Sequence, residues 1–110
     1  MIKLKTLLLL VIFFSSAASA APPVVEIKIR NHLFYPSTVS VPASTKVKLL
    51  VINEDNTSEE FESYELNREK VIMGKQKAVI FIGPLAPGEY LFFGEFYPQT
   101  AQGKVIARQD

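Results

Sequence analysis

The stretch Glu59-Glu60-Phe61-Glu62 sets three carboxylates around one aromatic ring, and Glu95 supplies a fourth from a later segment. Oxygen donors of this kind suit hard cations such as Fe²⁺, Fe³⁺ or Mn²⁺ better than Cu⁺. On an extended strand Glu60 and Glu62 share one face, while Glu59, Phe61 and Ser63 share the other. With Phe61 in a core, Glu60 and Glu62 would face solvent or a neighbouring surface. These residues read either as a metal site or as an ordinary wet strand face with one apolar anchor. Two carboxylates brought close, such as Glu59 and Glu95, raise each other's pKa or capture a cation; the alternative for Glu95 is an exposed turn residue. His32 is the only histidine, hence the only imidazole, and reads either as an auxiliary ligand or as a structural residue. Tyr97 and Met73 are weaker candidates, a half-buried ring with a polar tip and a single thioether in a turn. With no cysteine and no G-x-S-x-G or H-E-x-x-H motif, hydrolase chemistry is not expected.

Seven of the eleven acidic residues fall between Glu54 and Glu69, relieved only by Arg68 and Lys70. Like charges packed together cost energy unless solvent or a cation relieves them. No basic patch exists to replace counterions on phosphates, so nucleic-acid binding is not expected.

The elements that must position these groups are β-strands. Val25, Ile27 and Ile29 alternate with Glu26, Lys28 and Arg30, which gives one buried and one wet face. Lys46 to Ile52 begins as an alternation and ends apolar on both faces, as a central strand does. Lys77 to Ile82, Tyr90 to Phe93 and Lys104 to Arg108 are further short runs between turn residues. Thr38 to Val41 lies between two prolines, which favour a sheet edge. Tyr64 to Val71 has room for a helical turn. About seven short strands with regularly spaced turns indicate an antiparallel sandwich.

Ahead of them, Met1 to Lys5 is a short basic head, Thr6 to Phe14 an apolar run, and Ala18-Ser19-Ala20 fits a cleavage site. Residues 1–20 therefore read as a secretory signal peptide and 21–110 as one domain. The apolar run is shorter than the roughly 20 residues of a spanning helix. Without Lys3 and Lys5 the twelve basic residues fall to ten against eleven acidic, a net charge of −1.

Phe34-Tyr-Pro36, Thr38-Val-Ser-Val41, Val47 to Asn53, Pro84-Leu-Ala-Pro-Gly-Glu-Tyr90 with Phe92, and Gly103-Lys-Val105, in this order, resemble the cupredoxin superfamily. The resemblance covers nearly all of 21–110 and implies an all-β fold, a single Greek-key β-sandwich. One departure is Pro42-Ala-Ser44, where the family has a glycine in the turn. The family's blue copper site uses two imidazoles, a thiolate and an axial sulfur. Here the cysteine position holds Gly94, the second histidine position Tyr97, the axial methionine position falls near Gln102, and the first histidine position is taken by Glu59. The missing thiolate rules out type 1 copper.

Glu60-Phe-Glu-Ser63, Leu66 to Lys70 and Phe93-Gly-Glu-Phe96 with Pro98 are similar to the EfeO-type cupredoxin-like proteins of bacterial iron uptake. That likeness implies a periplasmic accessory protein which offers a carboxylate-rich site to iron, copper or manganese and meets periplasmic or membrane iron-transport proteins. The expected ligands are Glu59, Glu60, Glu62 and Glu95, with His32 auxiliary. Two rivals stand beside this reading: a metal-free docking module of the same fold, and a ferrous iron oxidase.

Overall fold

The computed structural model describes residues 10–12 and 20–110. Most of the expected signal peptide lies outside the described residues. Nine strands follow in chain order: β1 (Val24–Arg30), β2 (Leu33–Tyr35), β3 (Thr38–Pro42), β4 (Val47–Asn53), β5 (Glu59–Ser63), β6 (Arg68–Ile72), β7 (Lys77–Ile82), β8 (Gly88–Gly94) and β9 (Gln102–Arg108). Among the described residues there is no helix. The strands form two sheets, β2-β1-β4-β7 and β3-β9-β8-β5-β6.

Inward-facing side chains follow the alternation of period two. Ile27 and Ile29, Leu49 and Val51, Ile80 and Ile82 line the four-stranded sheet; Val39, Val41, Phe61, Phe92 and Val105 line the other. At the centre Phe61 stacks on Phe92 with ring centroids 4.9 Å apart, and Phe34 meets Phe92 edge-on at 5.0 Å. β4 is an inner strand with buried and half-buried residues alternating, and β3 is an edge strand beside its prolines.

The structure departs from the expected pattern in three places. Two pairings, β1 with β4 and β3 with β9, are parallel, because the chain crosses between sheets around Pro36 and again after Pro42. β2 has only three residues, too short to show a period. The segment Tyr64 to Val71 holds a four-residue turn and then β6, whose Arg-Glu-Lys start is exposed on an edge and so lacks apolar alternation. Ser44, in the Pro42-Ala-Ser44 turn, has a left-handed φ of 57°.

The open side of the sandwich, where edge strands β6 and β7 meet, is crossed by the Arg68 side chain. Arg68 Nε donates to the Phe81 carbonyl at 2.8 Å, and its Nη1 donates to the Asn67 carbonyl at 2.8 Å.

Candidate functional site

β5 and β6 form a hairpin in which Glu60 pairs with Val71 and Glu62 with Glu69. On its other side β5 pairs with β8, Phe61 opposite Gly94 and Glu62 opposite Phe93. The same register continues one residue further, since the Glu95 N–H donates to the Glu60 carbonyl at 2.9 Å. The outer face of the five-stranded sheet therefore carries two rows, Glu95–Glu60–Val71 and Phe93–Glu62–Glu69. One ligand oxygen each from Glu60, Glu62 and Glu69 can be chosen so that all lie within 4.8 Å of one another. Glu62 and Glu69 are directly opposed like charges, an arrangement that destabilises a sheet. Partial burial pushes the Glu62 carboxyl up to about 7, helped by a hydrogen bond with Glu60 and by the charges of Glu69, Glu60 and Glu95. Arg68 is turned away toward the Phe81 and Asn67 carbonyls, so its charge does not serve this cluster.

Glu59 faces the other way and is 1% exposed. Its Oε1 accepts the N–H groups of Glu60 and Phe96, both at 2.9 Å, while its buried Oε2 has no partner. A Cβ built on Gly94 would overlap Glu59 Cδ and Oε2 and come within 2.7 Å of the Ala101 Cβ. Glu59 and Gly94 thus share one small interior space, which the carboxylate fills.

His32 lies in the two-residue turn between β1 and β2, where Asn31 and His32 have φ of 53° and 61°, the positive pair that a tight hairpin turn requires. The Asp55 carboxylate accepts both turn N–H groups, from Asn31 at 2.8 Å and His32 at 3.0 Å. The imidazole stacks on Tyr97 at 3.5 Å between centroids, and its Nδ1 lies 3.6 Å from Asp55 Oδ2. Burial pushes the Asp55 carboxyl up, but the two N–H groups and the charges of His32 and Lys75 outweigh it and hold it below the usual range. His32 is thus a turn and stacking residue beside Asp55, and no described group of three or more metal-ligating side chains includes it.

Of the residues expected from sequence, the structure brings together Glu60 and Glu62, with Glu95 at the end of the first row. It separates Glu59 into the interior and His32 into the turn. Glu69 belongs to the acidic run visible in the sequence but not to the expected ligand set. The hairpin register that opposes it to Glu62 was hidden by the polar start of β6. Met73, in the turn after β6, is exposed, with its sulfur 3.5 Å from the Ser58 hydroxyl.

The family model of the cupredoxin-like domain matches residues 3–107. The chain belongs to this family. An uncharacterized Rickettsia prowazekii (strain Madrid E) protein is 49% identical over 82 residues, covering 74% of this chain and 66% of that relative. The chain thus spans about two thirds of that relative's length. Among solved structures, auracyanin A, a blue copper protein of Chloroflexus aurantiacus, superposes with a TM-score of 0.67 at 14% identity, covering 80% of this chain and all of its own. The metal-binding domain of the Streptococcus pneumoniae Cu(I)-exporting ATPase gives 0.66 at 14% identity, over 78% of this chain and 85% of that domain. A purple cupredoxin of Nitrosopumilus maritimus gives 0.60 at 17%, over 76% and 99%. At these identities the likeness shows the fold alone.

Type 1 copper does not fit this cupredoxin-like domain. There is no cysteine in the chain, and the space in front of Gly94 already holds a carboxylate with one oxygen committed to two backbone N–H groups.

Proposed function

We propose that this cupredoxin-like protein is an exported accessory protein of iron uptake that binds a transition metal on the outer face of its five-stranded sheet. The observation that carries this reading is the approach of Glu60, Glu62 and Glu69 to within 4.8 Å through one oxygen each. Glu95, across β5 from Val71, adds its charge beside this all-oxygen cluster, whose donors favour Fe²⁺, Fe³⁺ or Mn²⁺ over Cu⁺. A bound cation would relieve the Glu62–Glu69 opposition and release the proton that Glu62 holds near neutral pH. The likeness to EfeO-type proteins supports the iron assignment, and the basic head with its apolar run supports export.

A ligand that binds only the folded state raises its melting temperature. Titration of the domain at pH 7.5 with Fe²⁺ without oxygen, and with Mn²⁺ and Cu²⁺, should raise Tm for wild type. Variants carrying Glu60→Gln, Glu62→Gln and Glu69→Gln together should show no rise. An equal response of wild type and triple variant to every metal would overturn the metal reading. It would favour docking of a partner protein through the exposed Tyr64 and Leu91, which flank the acidic rows on the same face. Oxygen consumption on adding Fe²⁺ would mark an oxidase instead of a carrier.

A further inference from the structure

Glu59 is a buried carboxylate that the outer cluster does not use. Its neighbours suggest a mechanical task. Oε1 joins two separate stretches of chain, the Glu60 N–H on β5 and the Phe96 N–H in the loop after β8. Both bonds are 2.9 Å long, an ordinary N–H···O length, and their shared acceptor is buried. Glu95 sits between two tethered residues: Gly94, whose N–H donates to the Ala101 carbonyl at 2.8 Å, and Phe96, whose N–H is held by Glu59. The only other tie between Glu95 itself and β5 is its own N–H to the Glu60 carbonyl. Oε2 is left unpartnered beside Gly94, where any side chain at 94 would displace it. A buried oxygen without a donor is a cost, and it is tolerated here because the second oxygen of the same group fastens the loop.

We propose that Glu59 is a positioning residue: it pins the 94–96 loop to β5 and so keeps Glu95 beside the Glu60–Glu62–Glu69 cluster, where its charge is felt at Glu62. This deepens the metal reading of the outer face and rests on it. The arrangement works as an inner support for an outer ligand set, one strand residue pointing in to fasten the loop while its neighbour Glu60 points out to meet the cation. Support of this kind is worth about 10–100-fold in metal affinity where it has been removed from other sites.

The test uses Glu59→Gln, which keeps an Oε1 acceptor, and Glu59→Leu, which keeps most of the volume and removes the acceptors. Hydrogen exchange of the Glu95 and Phe96 amides is followed in metal-free protein, and Mn²⁺ affinity is followed by calorimetry. Glu59→Gln should keep both amides protected and bind Mn²⁺ within about threefold of wild type. Glu59→Leu should deprotect both and weaken Mn²⁺ about tenfold or more, matching Glu95→Gln. If Glu59→Gln loses as much affinity as Glu60→Gln, Glu59 acts as a ligand and the proposal is wrong. Unchanged protection and affinity in Glu59→Leu would also overturn it. Should wild type bind no Mn²⁺ at all, the metal reading fails, while the exchange data still decide whether Glu59 holds the loop.

Discussion

Among the described residues, Glu62 is the acid moved furthest from its ordinary pKa. Its carboxyl is raised from 4.5 to about 7 in the folded chain, so the folded state binds a proton that the unfolded state has already lost. The resulting stability is fully present below about 4.5, the unfolded value, and is lost as pH rises through about 7. In metal-free buffer Tm should therefore fall between pH 5 and 8, and Glu62→Gln should flatten that fall. Asp55 and Glu54 act oppositely. The Arg30 guanidinium, 3.3 Å from Glu54 and bonded to it, holds that carboxyl low despite some burial, as the turn N–H groups hold Asp55. Their contributions are present above the usual carboxylate range and are lost only as pH falls through their lowered values, a separate acid window. Gly94→Ala should destabilise by about 1–3 kcal/mol, the usual cost of overpacking, read by urea denaturation, because its Cβ meets the Glu59 carboxyl and Ala101. At this scale the residue types were legible from sequence, and so was the shared face of Glu60 and Glu62. The partnership of Glu62 with Glu69 was not, since it depends on where a four-residue turn sets the hairpin register.

Strands with a clear alternation or apolar run were readable from the sequence: β1, β4, β7 and β9 lie close to Val25–Ile29, Lys46–Ile52, Lys77–Ile82 and Lys104–Arg108. β2 and β6 were not, because a three-residue strand and an exposed edge strand carry too little burial to impose a pattern. What ties these elements together at the site end is Asn53, the last residue of β4. It is 1% exposed, and its Nδ2 donates to the Thr57 carbonyl at 2.8 Å and the Ile72 carbonyl at 3.0 Å, while Oδ1 accepts the Asp55 N–H at 3.0 Å. One side chain thus links the four-stranded sheet to the end of β6 and shapes the turn that presents Asp55 to His32. Asn53→Ala leaves buried carbonyls without donors. It should cost about 1–3 kcal/mol for each group left unpaired, seen in thermal unfolding. The His32–Tyr97 stack should loosen in the same variant, seen as altered ring chemical shifts.

Taken whole, the domain has a hydrophobic interior centred on Phe34, Phe61 and Phe92 and two unlike outer faces. The five-stranded face carries Glu60, Glu62, Glu69 and Glu95. On the four-stranded face the ladder sets Val24, Lys48 and Phe81 in one row and Lys28, Ile52 and Lys77 in another. Lys46 lies over the Phe81 ring with its Nζ 4.6 Å from the centroid. The interior was legible because burial selects residue type; the outer faces were not, because solvent accepts most side chains and only register decides which of them meet. Between the faces, the guanidinium of Arg68 occupies the carbonyl of Phe81 that an incoming strand would need for docking on β7. Its hold on that carbonyl removes one acceptor from the β7 edge, which disfavours edge-to-edge pairing. Arg68→Ala should leave the domain folded yet more prone to concentration-dependent association, visible as light scattering above that of wild type, so one arginine outside the acidic cluster guards an edge.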